Sequence, residues 1–149
     1  MAALVGCVVN SVKGLFGKLT KSTKAAPVKE YFSLVQVDAI HHAVNGKQIK
    51  EVSPSELYLF LNLRHSSATM EILHGERGRT CHLIYFLSEM LPPNEKTAWR
   101  DTMCERLGIT KRYYLSKYRK AVSDDCTKAD EKFVQAINKV NAKLQAYQG

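Results

Sequence analysis

The chain has 149 residues, 45% of them hydrophobic and 24% charged, and 22 Lys+Arg against 14 Asp+Glu leave a formal net charge of +8. Those figures fit one domain with a real core and exclude collagen-like, low-complexity and fully disordered chains. No apolar run reaches the ~18 residues of a membrane-spanning helix, which excludes a polytopic membrane protein, and the surplus of cations points to an anionic partner, nucleic acid or a membrane surface.

The surplus sits in two places. Residues 1–27 carry four Lys and no acid, and residues 94–122 carry eight basic and three acidic side chains. Residues 28–52 balance, residues 53–93 are acidic by one charge, and residues 123–149 balance at four against four. Four cysteines, Cys7, Cys81, Cys104 and Cys126, show no paired spacing. A disulfide scaffold or zinc finger is thereby disfavoured, and a reducing, cytoplasmic environment is the simplest expectation. His41, His42, His65, His74 and His82 match no metal signature, so no metal or other cofactor is expected.

Residues 1–27 read as an amphipathic basic segment and linker. Val5, Val8, Val12, Leu15, Phe16 and Leu19 recur at helical spacing, with Lys13, Lys18 and Lys21 on the other side. Such a face suits a membrane interface, a protein partner or the chain's own domain. Leu4-Val5-Gly6-Cys7 has the look of a lipoprotein processing box, but no basic residue precedes it and the apolar stretch is too short for a signal peptide. Ala2 stands where myristoylation needs Gly.

Residues 28–149 read as one helical domain. After Pro27, Val28, Tyr31, Phe32, Val35, Ala39, Ile40 and Ala43 form a helical stripe that Gly46 ends. Ser53-Pro54-Ser55-Glu56 combines a capping box with Pro at the first helical position, which favours a helix over a strand in "SELYLFLNLR" despite its alternating leucines. "SSATMEILHG" reads as a short helix and "GERGR" as a turn. Thr80 is expected to cap "CHLIYFLSEML", which Pro92-Pro93 closes.

Residues 94–122 carry the most information. Asn94 is the expected N-cap of a helix with Ala98, Trp99, Thr102, Met103, Arg106 and Leu107 on one face. Gly108 breaks it, and Thr110 caps a second helix running to about Val122. Two helices about a tight Gly-containing turn, with the preceding helix, make a three-helix unit. From Arg100 to Arg119 this stretch resembles the helix-turn-helix of bacterial DNA-binding proteins. Small Cys104 faces the second helix, Leu107-Gly108-Ile109 forms the turn, and apolar or aromatic positions follow. The pattern asks for apolar residues where Tyr114 and Lys117 stand; Leu115 and Tyr118 serve if the turn is one residue longer.

The resemblance implies a helix in the major groove of double-stranded DNA. Arg112 is the candidate for a base edge, Thr110, Lys111, Lys117, Arg119 and Lys120 for phosphates, and Tyr113 for a thymine methyl or a sugar. A small transcription regulator is the most concrete form of this reading. Trp99 followed by "CERLGIT" is also similar to the Trp…Leu-Gly pattern of death-fold bundles, which implies an oligomerising interaction protein instead.

A final helix over 126–147 places Phe133, Ile137, Val140, Leu144 and Tyr147 at spacings of 4, 3, 4 and 3. That seam serves either the chain's own core or a second copy, and a homodimer would suit a helix-turn-helix protein. No nucleophile motif, H-E-x-x-H or phosphate loop is present, so no catalytic residue is expected. The expectation is an all-α bundle of six or seven helices in one domain.

Overall fold

Residues 29–148, which the computed structural model describes, form six α-helices and one 3-10 turn, with only isolated bridge pairs and no sheet among the described residues. The all-α expectation is met. The helices are α1 (Leu34–Val44), α2 (Pro54–Leu61), α3 (Arg77–Ser88), α4 (Pro93–Arg106), α5 (Lys111–Lys117) and α6 (Lys128–Gln148), and the 3-10 turn spans Lys120–Val122.

Three capping boxes set three of the starts. Before α2, Glu56 N–H donates to Ser53 Oγ at 3.1 Å while Ser53 N–H donates to Glu56 Oε1 at 2.9 Å, as the sequence predicts. Before α6, Thr127 and Asp130 exchange the same pair of bonds at 2.9 and 3.1 Å. Before α1, Ser33 and Gln36 do so at 2.8 and 3.3 Å. Each box satisfies two backbone donors that a helix start otherwise leaves unpaired.

The Ser33 box moves the first helix off its expected start. Residues 29–32 stay outside the helix because the backbone of Tyr31 and Phe32 is taken by buried Asn62. Its Oδ1 accepts from Tyr31 and Phe32 N–H at 2.6 and 2.9 Å, and its Nδ2 donates to the Phe32 and Tyr58 carbonyls at 3.1 and 2.9 Å. The buried face of α1 is therefore Val37, Ala39, Ile40 and Val44, and Val35 is exposed. Gly46 ends this helix as expected, at φ +73.

Three other local expectations fail. "SSATMEILHG" contains no helix: Lys50 N–H donates to Glu71 O and Leu73 N–H to Gln48 O, so Ile72 bridges Ile49 from far along the chain. α3 starts one turn before Thr80, whose buried hydroxyl donates to Glu76 O inside the helix at 2.8 Å. α4 starts at Pro93, with Pro92 as the cap residue and Asn94 already within the helix.

α3 is the central helix. Thr80, Cys81, His82, Leu83, Ile84, Leu87 and Ser88 are all buried, and α4, α5, the 3-10 turn and α6 pack around it. α6 crosses from α3 and the 3-10 turn onto α1, and α1 packs on α2. Trp99 of α4 plugs the α2 side of the core. Its ring meets Phe32 edge-to-face at 5.3 Å, and its Nε1–H donates to the last α2 carbonyl, Leu61 O, at 2.8 Å.

Candidate nucleic-acid interface

α4 and α5 flank a tight turn where the sequence places one. Gly108 takes φ +71, so Gly108 N–H reaches Glu105 O at 3.1 Å and Ile109 N–H reaches Cys104 O at 2.8 Å. This doubly bonded helix ending needs a left-handed residue, and buried Ile109 supplies its apolar contact. Cys104 is buried here. Thr110 caps α5 by accepting from Tyr113 N–H at 3.1 Å.

α5 is shorter than expected and stops at Lys117 rather than near Val122. Buried His82 of α3 takes the Tyr118 carbonyl through Nδ1 at 2.9 Å, and the chain tightens into the 3-10 turn. Tyr114 is the inward residue and Leu115 is 56% exposed, so the register is that of the shorter turn. Tyr114 stacks on Tyr118 with ring centres 5.0 Å apart, and its buried hydroxyl has no hydrogen-bond partner among the described residues. Burial pushes its phenol above the ordinary range.

The candidate contact residues divide by what already holds them. Lys111 and Arg112 are exposed on the first turn of α5, and neither forms an ion pair among the described residues. Thr110 keeps its hydroxyl proton for an outside acceptor. Lys117 lies 6.0 Å from the Tyr113 ring centre, and Arg119 lies 5.5 Å from that of Tyr118. Lys120 is drawn to the start of α6, where its Nζ is 3.9 Å from Asp130 Oδ2 and 3.4 Å from Asp125 O.

Arg77 is the residue that sequence reading misses. It lies at the start of α3, in the run taken for a plain turn, yet its guanidinium sits 5.7 Å from the Tyr113 ring centre and bonds the Gly108 carbonyl. Tyr113 thus holds Arg77 and Lys117 beside the cationic first turn of α5. The basic "GERGR" run was the available signal.

Asp130 bounds this surface. Its carboxylate pairs with Arg79 Nε at 2.9 Å, an ion pair rather than an aligned hydrogen bond, and Arg79 also reaches Glu76 at 2.7 Å. Burial is the largest single influence on this carboxyl and opposes its ionisation. The hydrogen bonds from Thr127, with the charges of Arg79 and Lys120, together outweigh it and leave the group below its ordinary 3.8.

Of the two uses expected for the α6 seam, the chain's own core is the one these residues serve here. Phe133, Ile137, Val140 and Leu144 are each buried within the single chain, facing α1, α3 and the 3-10 turn. As placed, they offer no free apolar stripe to a second copy. Val5, Val8, Val12, Leu15, Phe16 and Leu19, the candidate membrane or partner face, lie outside the described residues. No helix among the described residues is long and apolar enough to cross a membrane. Nor does any group of three His, Cys, Asp or Glu among them stand ready to hold a metal ion.

Comparison with protein-family models, with curated proteins and with solved structures finds no match to this chain.

Proposed function

We propose that the chain binds double-stranded DNA through α5 and the start of α3, as a small regulator of transcription. The observation that carries this reading is the cation group around one short helix. Lys111 and Arg112 project unpaired from its first turn, and Arg77 and Lys117 flank the same Tyr113 ring. A helix that reads the major groove contacts base edges with its first residues, and α5 offers Arg112 there. At seven residues it spans about 10 Å, enough for two turns in the groove. Thr110, Lys111 and Arg77 serve as phosphate contacts that fix its register, and Arg119 and Lys120 lie at its rim.

The reading asks for no second copy, because the α6 seam is spent inside the fold. A single α5 then supplies a weak sequence preference and a strong salt dependence. The test is a gel-shift titration of duplex DNA at several salt concentrations. Lys111→Ala/Arg112→Ala should lower the slope of log affinity against log salt by about 1, from the Lys111 phosphate contact at ~0.9, and should relax the sequence preference that Arg112 supplies. An unchanged slope removes α5 from the interface.

A further inference from the structure

Residues 123–149 have no net charge, yet α6 separates its charges in space. Asp124, Asp125, Asp130 and Glu131 crowd its start, whereas Lys132, Lys139 and Lys143 follow at intervals of seven and four. Those intervals put the three on one stripe of the helix, extending over about 16 Å. The stripe borders a groove of about 340 Å³ between α1 and α6, completed by Lys47 and His42. Among the described residues no carboxylate lines it. None of the four lysines forms an ion pair among the described residues, although His42 lies 3.9 Å from Asp38 and Glu76 lines the adjoining hollow that Lys47 and Lys132 share.

We propose that this α1–α6 groove is a second DNA-backbone contact, separate from α5. The duplex-binding reading of α5 supplies the ligand, and the groove's own chemistry selects its phosphates. An acidic helical partner would need pockets for apolar anchors at helical spacing. The groove floor instead offers the methyls of Ala39, Ala43 and Ala136 and the buried Val140. A membrane surface would need exposed Trp, Phe or Leu, and none of the described residues lining the groove is one of these. Residues 1–28 carry four lysines and no acid, the same sign of charge as the groove. Small residues and lysines together let a sugar-phosphate strand lie close, with point charges along its length. At about 3.4 Å per nucleotide, 16 Å of stripe matches roughly five phosphates of one strand.

The two cationic faces meet at Arg79, which borders both the α5 side and the α1–α6 side. Glu76 and Asp130 neutralise it there. The acids at the start of α6 therefore divide the cationic surface into two contacts rather than one continuous band.

The test uses the full chain and fluorescence anisotropy of a labelled random-sequence duplex across a salt series. Lys132→Gln/Lys139→Gln/Lys143→Gln keeps helix-forming side chains of similar length, and circular dichroism checks that it stays folded. This variant should lower the salt slope by about 3, at ~0.9 per contact, whatever sequence is used. Combined with Lys111→Ala/Arg112→Ala, the two losses should add. A wild-type slope in the folded triple variant overturns the groove while leaving the α5 reading intact. A lowered slope in the triple variant beside an unchanged one in the α5 variant supports the groove and removes α5. Poly-glutamate competing as well as duplex DNA for the groove overturns nucleic acid as its occupant. Absence of duplex binding by the wild-type chain at every salt concentration overturns both.

Discussion

Residues 94–122 and residues 123–149 make opposite impressions as sequence: eight basic against three acidic side chains in the first, four against four in the second. In space the count of cations without any close partner is reversed. Of the eight cations in the first region, Lys96 pairs with Glu89, Arg106 holds the Leu63 carbonyl, and Arg100, Lys117 and Arg119 lie over tyrosine rings. Lys120 is drawn to Asp130, and only Lys111 and Arg112 remain without such a partner among the described residues. None of the four lysines of the second region forms an ion pair among the described residues, and its acids gather at the helix start, where Asp130 caps the helix and holds Arg79. Segment charge counts side chains; the field outside the molecule depends on which of them are already engaged.

The contrast breaks most severely if α6 is not held as described. Phe133→Ala should cost about 3–5 kcal/mol in urea unfolding, because a large buried ring leaves a cavity against α3. Its unfolding midpoint should not depend on protein concentration. A midpoint that rises with concentration would instead place the seam between copies.

Asp130→Asn sharpens the comparison at the boundary of the two faces. A bond to a buried charged group is worth about 1.5–3 kcal/mol, and the variant should lose about that at neutral pH. The native carboxyl titrates below its ordinary 3.8, so the stability it contributes is complete above that value and is lost as pH falls through the folded pKa. Denaturation curves of the two proteins should converge below about pH 3.8. The same substitution frees Lys120 and leaves Arg79 with Glu76 alone, so duplex affinity should rise where stability falls. If both fall together, Asp130 supports the α5 face rather than limiting it.

The smallest expected effect lies beneath α5. Tyr114→Phe removes a buried hydroxyl without a partner, so thermal melts should show a change within about 1 kcal/mol, in the stabilising direction. A larger loss would mean that the hydroxyl bonds an ordered water and helps seat the helix.

What the sequence discloses is local. Ser53-Pro54-Ser55-Glu56, Gly46, Gly108 and Thr110 act within a few residues of themselves, and each does in the fold what its spacing predicts. The expectations fail where a distant group intervenes. Asn62 holds residues 31–32 out of a helix, Ile49 draws Ile72 away from one, and His82 takes the carbonyl at which α5 stops. The candidate site divides in the same way. Lys111 and Arg112 are legible as cations on a capped helix. Arg77 is not, because it reaches Tyr113 from another helix, and the lysine stripe of α6 is hidden by acids that balance it in the count but not in place.

The three described cysteines differ in a way that makes the protein easy to observe. Cys81 and Cys104 are buried, and burial pushes their thiols up to about 12 and about 11, so both remain protonated and closed to electrophiles at neutral pH. Cys126 is half-exposed and sits just before α6, beside the acids that part the two cationic surfaces. Among the described residues the fold thus presents a single reactive handle. With Cys7 replaced by Ser, a dye attached there would stand between the two candidate strands of phosphate, placed to report which one arrives.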